Sequence, residues 1–166
     1  MEEFLRILAL CFLALPVLAI FVSNLLKGRH RRALRRVLSM TVAALTAADA
    51  AVCFALLVGG GRSEYSFSLL ASGDARAYFA LTPFGLVVLF CAGVVCFASE
   101  LVAMRTIRSK TNSFTNLLMI LLLAITGICL ARDLFTLYAF MEITGLASFT
   151  MIAIYREDER SEERRV

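Results

Sequence analysis

Three carboxylates lie inside apolar stretches of this sequence and give its most specific chemical signal. Glu142 stands alone near the middle of the run from Leu134 to Ile154, and Asp49 and Glu100 fall within two earlier runs. A charged group at the centre of a membrane-spanning helix costs about 2.5–3.5 kcal/mol to insert, so such groups face a protein interior or water and often carry ions or protons. The pattern predicts proton-transfer or cation chemistry at these acids.

None of the apolar runs has a Lys, Arg or His near its centre. A carboxylate in a medium of low dielectric, without a nearby cation, favours its protonated form, which can still take up and release protons. For Glu142 and Asp49 the alternative is a protonated carboxyl that bonds only to a neighbouring helix. Glu100 lies toward one end of its run, which favours an anchor that reaches water or Arg105. Another subunit is a further possible source of a cation.

Other polar groups extend these sites. Asp133, in the short turn before the last run, is a fourth proton-transfer candidate, and Thr126, Thr144 and Ser148 are candidates for a polar path. Helical periodicity puts Glu142 on one face with Tyr138, Gly145 and Phe149, where Gly145 permits close approach of another helix. Less specific groups are Thr41, Thr46, Thr136, Thr150 and His30, the last a surface residue that could load protons.

Several function classes find no support. The five cysteines lie in apolar runs without a CxxC pair, which is typical of small core residues and predicts neither a disulfide nor a metal framework. The sequence has no dinucleotide-binding loop and no histidine pair for haem, so we expect neither a cofactor nor a redox active site in this chain. The basic residues flank the apolar runs, which does not indicate nucleic acid binding.

The elements that position these acids follow from composition. Of 166 residues, 60% are hydrophobic and 18% charged, whereas a soluble domain has about 25% charged residues. The apolar runs have the length of about 20 residues that crosses a bilayer core. We predict an all-α membrane protein, a single domain over residues 1–155 with a charged tail at 156–166. The predicted spans are residues 4–26, 37–58, 82–104, 114–131 and 134–155.

Charge between the spans predicts the orientation. Residues 27–36 and 105–110 are rich in Lys and Arg, so both segments should be cytoplasmic. The N-terminus would then lie outside as an uncleaved first span, and the C-terminal tail would lie inside, in a prokaryotic cell membrane. We expect the tail to be a helix extension or disordered, or less favourably a docking segment. Residues 65–81 fit either a short interfacial helix or a strand-like loop.

The stretch from Phe114 to Tyr155 resembles the fourth and fifth helices of the antiporter-like membrane subunits. This family is shared by respiratory complex I, multisubunit sodium/proton antiporters and membrane-bound energy-converting hydrogenases. The similarity rests on FTNLLMILLLAITGICLA, the turn with Asp133 and Leu134, and Glu142 in YAFMEITGLASFTMIAIY. The earlier YFALTPFGLVVLF is similar to the start of the family's third helix, although Thr82 stands where the family commonly has Asp.

The resemblance implies a role for Glu142 as the fifth-helix glutamate that takes part in proton transfer. Family members are longer, with two inverted repeats of five helices and a lysine two helices after the glutamate. We therefore expect other membrane subunits as partners, one of them supplying a Lys to Glu142. The alternatives are a structural subunit without transport and, less favourably, a small homo-oligomeric transporter of cationic compounds.

Overall fold

The computed structural model describes residues 2–25, 32–61, 63–72, 75–106 and 111–163 of the chain. Its five helices are α1 (Glu2–Leu25), α2 (Arg32–Gly59), α3 (Pro83–Thr106), α4 (Thr111–Leu130) and α5 (Leu134–Glu163), and its two strands are β1 (Tyr65–Ser72) and β2 (Ala75–Leu81). All five helices are long and apolar enough to cross a membrane. The predicted helical membrane fold with five spans is confirmed. His30 lies outside the described residues.

Two helix boundaries bear on the charged residues. α2 begins at Arg32, five residues before the predicted start of the second span, so Arg35 and Arg36 lie on the helix and not in a loop. α5 continues beyond its apolar portion to Glu163. Within the described part, the tail is therefore an extension of the last helix, which is one of the alternatives that the sequence left open.

The segment between α2 and α3 is a β-hairpin. β1 pairs antiparallel with β2 in a register that joins Tyr65 to Leu81, with an irregularity between Ser68 and Leu70. The rings of Phe67 and Phe79 stack across the strands at 5.9 Å between centroids, and both side chains are buried. Side chains alternate between the two faces of a strand, so these paired rings lie on the same face of the hairpin, and that face covers the ends of the helices. The strand-like alternative for this segment was the better one.

Small residues set the distance between α2 and α3. A Cβ atom added at Gly93 of α3 would lie 2.9 Å from the backbone nitrogen of Ala47 and 3.0 Å from the carbonyl oxygen of Ala43. Atoms of α2, mostly of its backbone, thus fill the space next to Gly93. Small residues commonly allow such close packing between membrane helices, where apolar burial gives little driving force.

α5 lies at the edge of the bundle. Its principal partner among the described elements is α4, whereas α4 also contacts α1, α2 and α3. The Phe140 ring of α5 occupies the space that a side chain at Gly127 of α4 would need. The packing of α5 therefore depends on one helix, and most of its circumference remains uncovered by the described residues.

Candidate functional site

Glu142 lies on the uncovered side of α5. Its side chain is exposed, and the same face carries Tyr138, Leu146 and Phe149, which are 63%, 67% and 77% exposed. Tyr138, one turn earlier, lies near enough for its side chain to interact electrostatically with the Glu142 carboxylate. The face predicted from helical periodicity is present, but the described residues do not bury the glutamate, because α5 packs on its opposite side against α4.

The exposure of this helix sets it apart from the others. Only 11% of the α5 span is buried, against 28–44% in the other four spans. Gly145, three residues after Glu142, has nothing within 4 Å of the position that a Cβ would take. The face formed by Tyr138, Glu142, Gly145, Leu146 and Phe149, hereafter the Glu142 face, thus offers a central notch beside a carboxylate.

Asp49 occupies a different environment, in the interior of the bundle. It is 9% exposed and lies on α2, one turn before the buried Cys53. The Cys53 thiol donates to Asp49 Oδ1 at 3.9 Å, and Oδ2 has no hydrogen-bond partner among the described residues. Cys11 of α1 lies near enough to interact electrostatically with the carboxylate. Asp49 therefore faces thiols and apolar side chains at the junction of α1 and α2.

Glu100 is completely buried, so its carboxylate does not reach water, which was one of the two predicted alternatives, and the Arg105 side chain lies outside the described part of the chain. The Ser39 hydroxyl of α2 donates to Glu100 Oε1 at 2.9 Å. Thr115 of α4 and the guanidinium of Arg36 lie near this carboxylate. The physical reason for the difference is that α2 begins at Arg32, so its first turns supply a hydroxyl and a cation where water was one of the predicted alternatives.

Asp133 caps the N-terminus of α5. The backbone N–H of Thr136 donates to Asp133 Oδ1 at 2.7 Å, which satisfies one of the unpaired donors of the first turn. This hydrogen bond holds the pKa of the Asp133 carboxyl below its ordinary value. Thr82 plays the same part at α3, since its hydroxyl accepts from the Gly85 N–H at 3.1 Å. The observed contact of Asp133 is structural.

The candidate hydroxyls bond first to their own helices. Thr126 donates to the Leu122 carbonyl at 2.8 Å, and Ser148 donates to that of Thr144 at 2.8 Å. The Thr144 hydroxyl donates to the Phe140 carbonyl at 2.9 Å. Serine and threonine hydroxyls in helices commonly donate in this way to the carbonyl four residues earlier. Each oxygen keeps its capacity to accept, but these hydrogen bonds do not connect the hydroxyls into a chain.

The four acids thus lie in four separate environments, and none of the hydrogen bonds or ion pairs within the described ranges joins two of them. No sequence pattern pointed to Ser39, Thr115 and Arg36 around Glu100, because they lie on helices distant in sequence from it. A polar cluster in which Ser23 and Asn24 of α1 bond to Asn116 of α4 was not predicted either. The described residues contain no group of three His, Cys, Asp or Glu side chains placed to hold a metal ion.

Comparison with solved structures identifies the fold. A chain in the structure of the membrane-bound sulfane sulfur reductase (MBS), an archaeal respiratory membrane complex, superposes with a TM-score of 0.75 and 22% sequence identity. The match covers 86% of this chain and 29% of that chain, so this chain spans less than a third of its length. No protein-family model and no curated protein sequence matches this chain.

The likeness shows that the five helices share the fold of part of a membrane subunit from a respiratory complex. This agrees with the helical membrane fold that the family resemblance implies. The antiporter-like assignment itself and the role of Glu142 stay predictions.

Proposed function

We propose that this chain is a membrane subunit of a multisubunit ion-translocating complex, in which Glu142 takes part in proton or sodium translocation. The complex would be an energy-converting hydrogenase or complex I-like oxidoreductase, or a multisubunit cation/proton antiporter. The redox chemistry, where there is any, would belong to other subunits. The fold shared with a chain of the MBS complex supports this class of assembly.

One observation carries the proposal: Glu142 lies at mid-span on a helix face that the described residues leave uncovered. Glu142 is eight residues past the start of α5 at Leu134, which at ~1.5 Å per residue places it ~12 Å into the span. A carboxylate facing lipid at this depth is costly, whereas one facing a partner or a water-filled path is not. We therefore infer that another membrane helix covers the Glu142 face.

The mechanism follows from electrostatics. A cation on the covering helix, as the family resemblance implies for a Lys, stabilises the carboxylate form of Glu142. When that cation moves away, the neutral form is favoured and the carboxyl takes up a proton. Return of the cation releases the proton. The Tyr138 hydroxyl, placed at the carboxylate, is suited to stabilise the ionised form between these steps.

Membrane vesicles that contain the assembled complex test the proposal. Glu142→Gln removes the titratable group and retains nearly the same volume, so we expect coupled proton or sodium transport to be lost while the complex keeps its native mass. Glu3→Gln is the matched control, because Glu3 is an exposed acid at the start of α1, and it should transport as the wild type does.

Two other results would decide against this function. Normal transport by Glu142→Gln, together with loss of the complex on deletion of the chain, would favour a structural or assembly subunit. Migration of the wild-type chain as a small homo-oligomer after gentle solubilisation would favour an independent transporter of cationic compounds. The same vesicles, treated with protease from either side, test the proposed cytoplasmic location of the C-terminus.

A further inference from the structure

Arg35 is a buried cation that lacks an acidic partner among the described residues. It is 9% exposed, and its Nε atom has no hydrogen-bond partner. Arg132 and Glu64 form an ion pair at the hairpin, which lies near the opposite ends of the helices and does not involve Arg35. A guanidinium that is buried at Nε and has no counter-charge among the described residues is costly, so its position points to an anion other than the described side chains.

Glu100, a buried acid of α3, has other partners. Glu100 accepts from Ser39 and interacts with Thr115 and with Arg36, and Arg35 is not among the groups that act on it. The first turn of α2, which contains Arg35, has no acidic residue, and neither has the first turn of α4. Because α2 and α4 begin on the same side of the membrane, the positive ends of both helix dipoles add to the charge of Arg35.

The depth of Arg35 selects the kind of anion. The apolar span of α2 begins at Ala33, so Arg35 lies ~3 Å inside its end. Leu34 and Val37 beside it are 54% and 53% exposed, which places apolar side chains against lipid at the same level. An arginine at this level buries its stem and extends its guanidinium toward the headgroups. Phosphate groups of lipids lie there, and guanidinium binds phosphate through two parallel hydrogen bonds.

We propose that Arg35, at the start of α2, binds the phosphate of an anionic phospholipid that sits against this end of the bundle. The site is independent of Glu142 and of any ion path. It would attach the chain to lipids of the leaflet at the basic end of α2 and balance the charge of a guanidinium that has no acidic partner among the described residues. Basic pockets between membrane helices on the cytoplasmic side are typical sites for anionic headgroups.

Native mass spectrometry of the purified full-length chain, titrated with phosphatidylglycerol or phosphatidylcholine of the same acyl chains, tests the proposal. We expect the wild type to bind phosphatidylglycerol about fivefold more tightly than phosphatidylcholine. Arg35→Gln should lose this preference, and Arg35→Lys should keep part of it, since a lysine retains the charge but not the two-pronged geometry. Arg6→Gln, at an exposed arginine of α1 on the other side, is the matched control and should keep the full preference.

Three results would overturn the proposal: equal binding of both lipids by the wild type, an unchanged preference in Arg35→Gln, or an equal loss in Arg6→Gln. The first of these needs no variant, so it decides the matter even if Arg35→Gln fails to fold. Inorganic phosphate distinguishes a free anion from a lipid. If phosphate at the lipid's concentration displaces phosphatidylglycerol from the wild type, the site binds soluble anions and the lipid assignment is wrong.

Discussion

The Ser39 hydroxyl donates a hydrogen bond of 2.9 Å to Glu100, and this contact joins α2 to α3 between two buried side chains. Sixty-one residues separate the two in sequence. The contact converts a carboxylate that the sequence placed near solvent into a link between helices. Arg36 and Thr115 complete its surroundings, so three helices meet at one acid.

Removal of this acid should destabilise the chain. In Glu100→Ala the Ser39 hydroxyl loses its acceptor on α3 and keeps only the Arg36 carbonyl of its own helix at 3.0 Å, and the Arg36 guanidinium loses this carboxylate. We expect the loss to cost about 1–3 kcal/mol in the free energy of unfolding. Glu100→Gln keeps an acceptor for Ser39 and should cost less. Thermal unfolding in detergent gives the melting temperatures of the wild type, Glu100→Gln and Glu100→Ala, which should fall in that order. An unchanged melting temperature in Glu100→Ala would show that the link does not stabilise the bundle.

The contact between α4 and α5 gives a second prediction. A Cβ at Gly127 would overlap the Phe140 ring, so Gly127→Ala must displace the ring or the helix. Forcing extra volume into a packed contact typically costs about 1–3 kcal/mol. Phe140→Leu, which shortens the opposing side chain, should restore part of the lost melting temperature in the double variant. Additive losses in the double variant would mean that the two residues do not share this space.

The features of the structure that follow from local patterns were predictable from the sequence. The lengths of the apolar runs predicted the five spans, and helical periodicity put Tyr138, Glu142 and Phe149 on one face of α5. Features that depend on contacts between residues distant in sequence were not predictable from it. The burial of Glu100 depends on Ser39 and Thr115, which belong to other helices. The strand conformation of residues 65–72 depends on pairing with β2, since the segment alone fits a helix or a strand.

The N-cap of α5 predicts a dependence of stability on pH. Because the Thr136 N–H holds the pKa of Asp133 below its ordinary value of 3.8, the ionised cap stabilises the fold above that pH. The stabilisation is lost as the pH falls through the lowered pKa. Asp133→Asn keeps a capping oxygen but cannot titrate, so the difference in melting temperature between wild type and variant should shrink between pH 6 and about pH 3. A constant difference over that range would contradict the role of the charge.

The last prediction concerns the Glu142 face. Gly145 has free space where a side chain would extend, so Gly145→Leu should leave the melting temperature of the isolated chain unchanged or slightly higher, since leucine favours the helix more than glycine does. If a partner helix packs into the notch beside Glu142, the same leucine should separate the chain from its complex. The measurement is the native mass of the chain in gently solubilised membranes.

Two other variants separate association from folding. Ala98→Leu adds a leucine at an exposed position of α3 and should leave both the melting temperature and the native mass unchanged. Gly93→Leu places a side chain against the backbone of α2 and should lower the melting temperature of the isolated chain. If Gly145→Leu separates from the complex while Ala98→Leu does not, and the isolated Gly145→Leu chain keeps the wild-type melting temperature, the Glu142 face is the buried contact. Retention of the complex would mean that this face stays uncovered, and with it the proposal that Glu142 works against a neighbouring helix would fail.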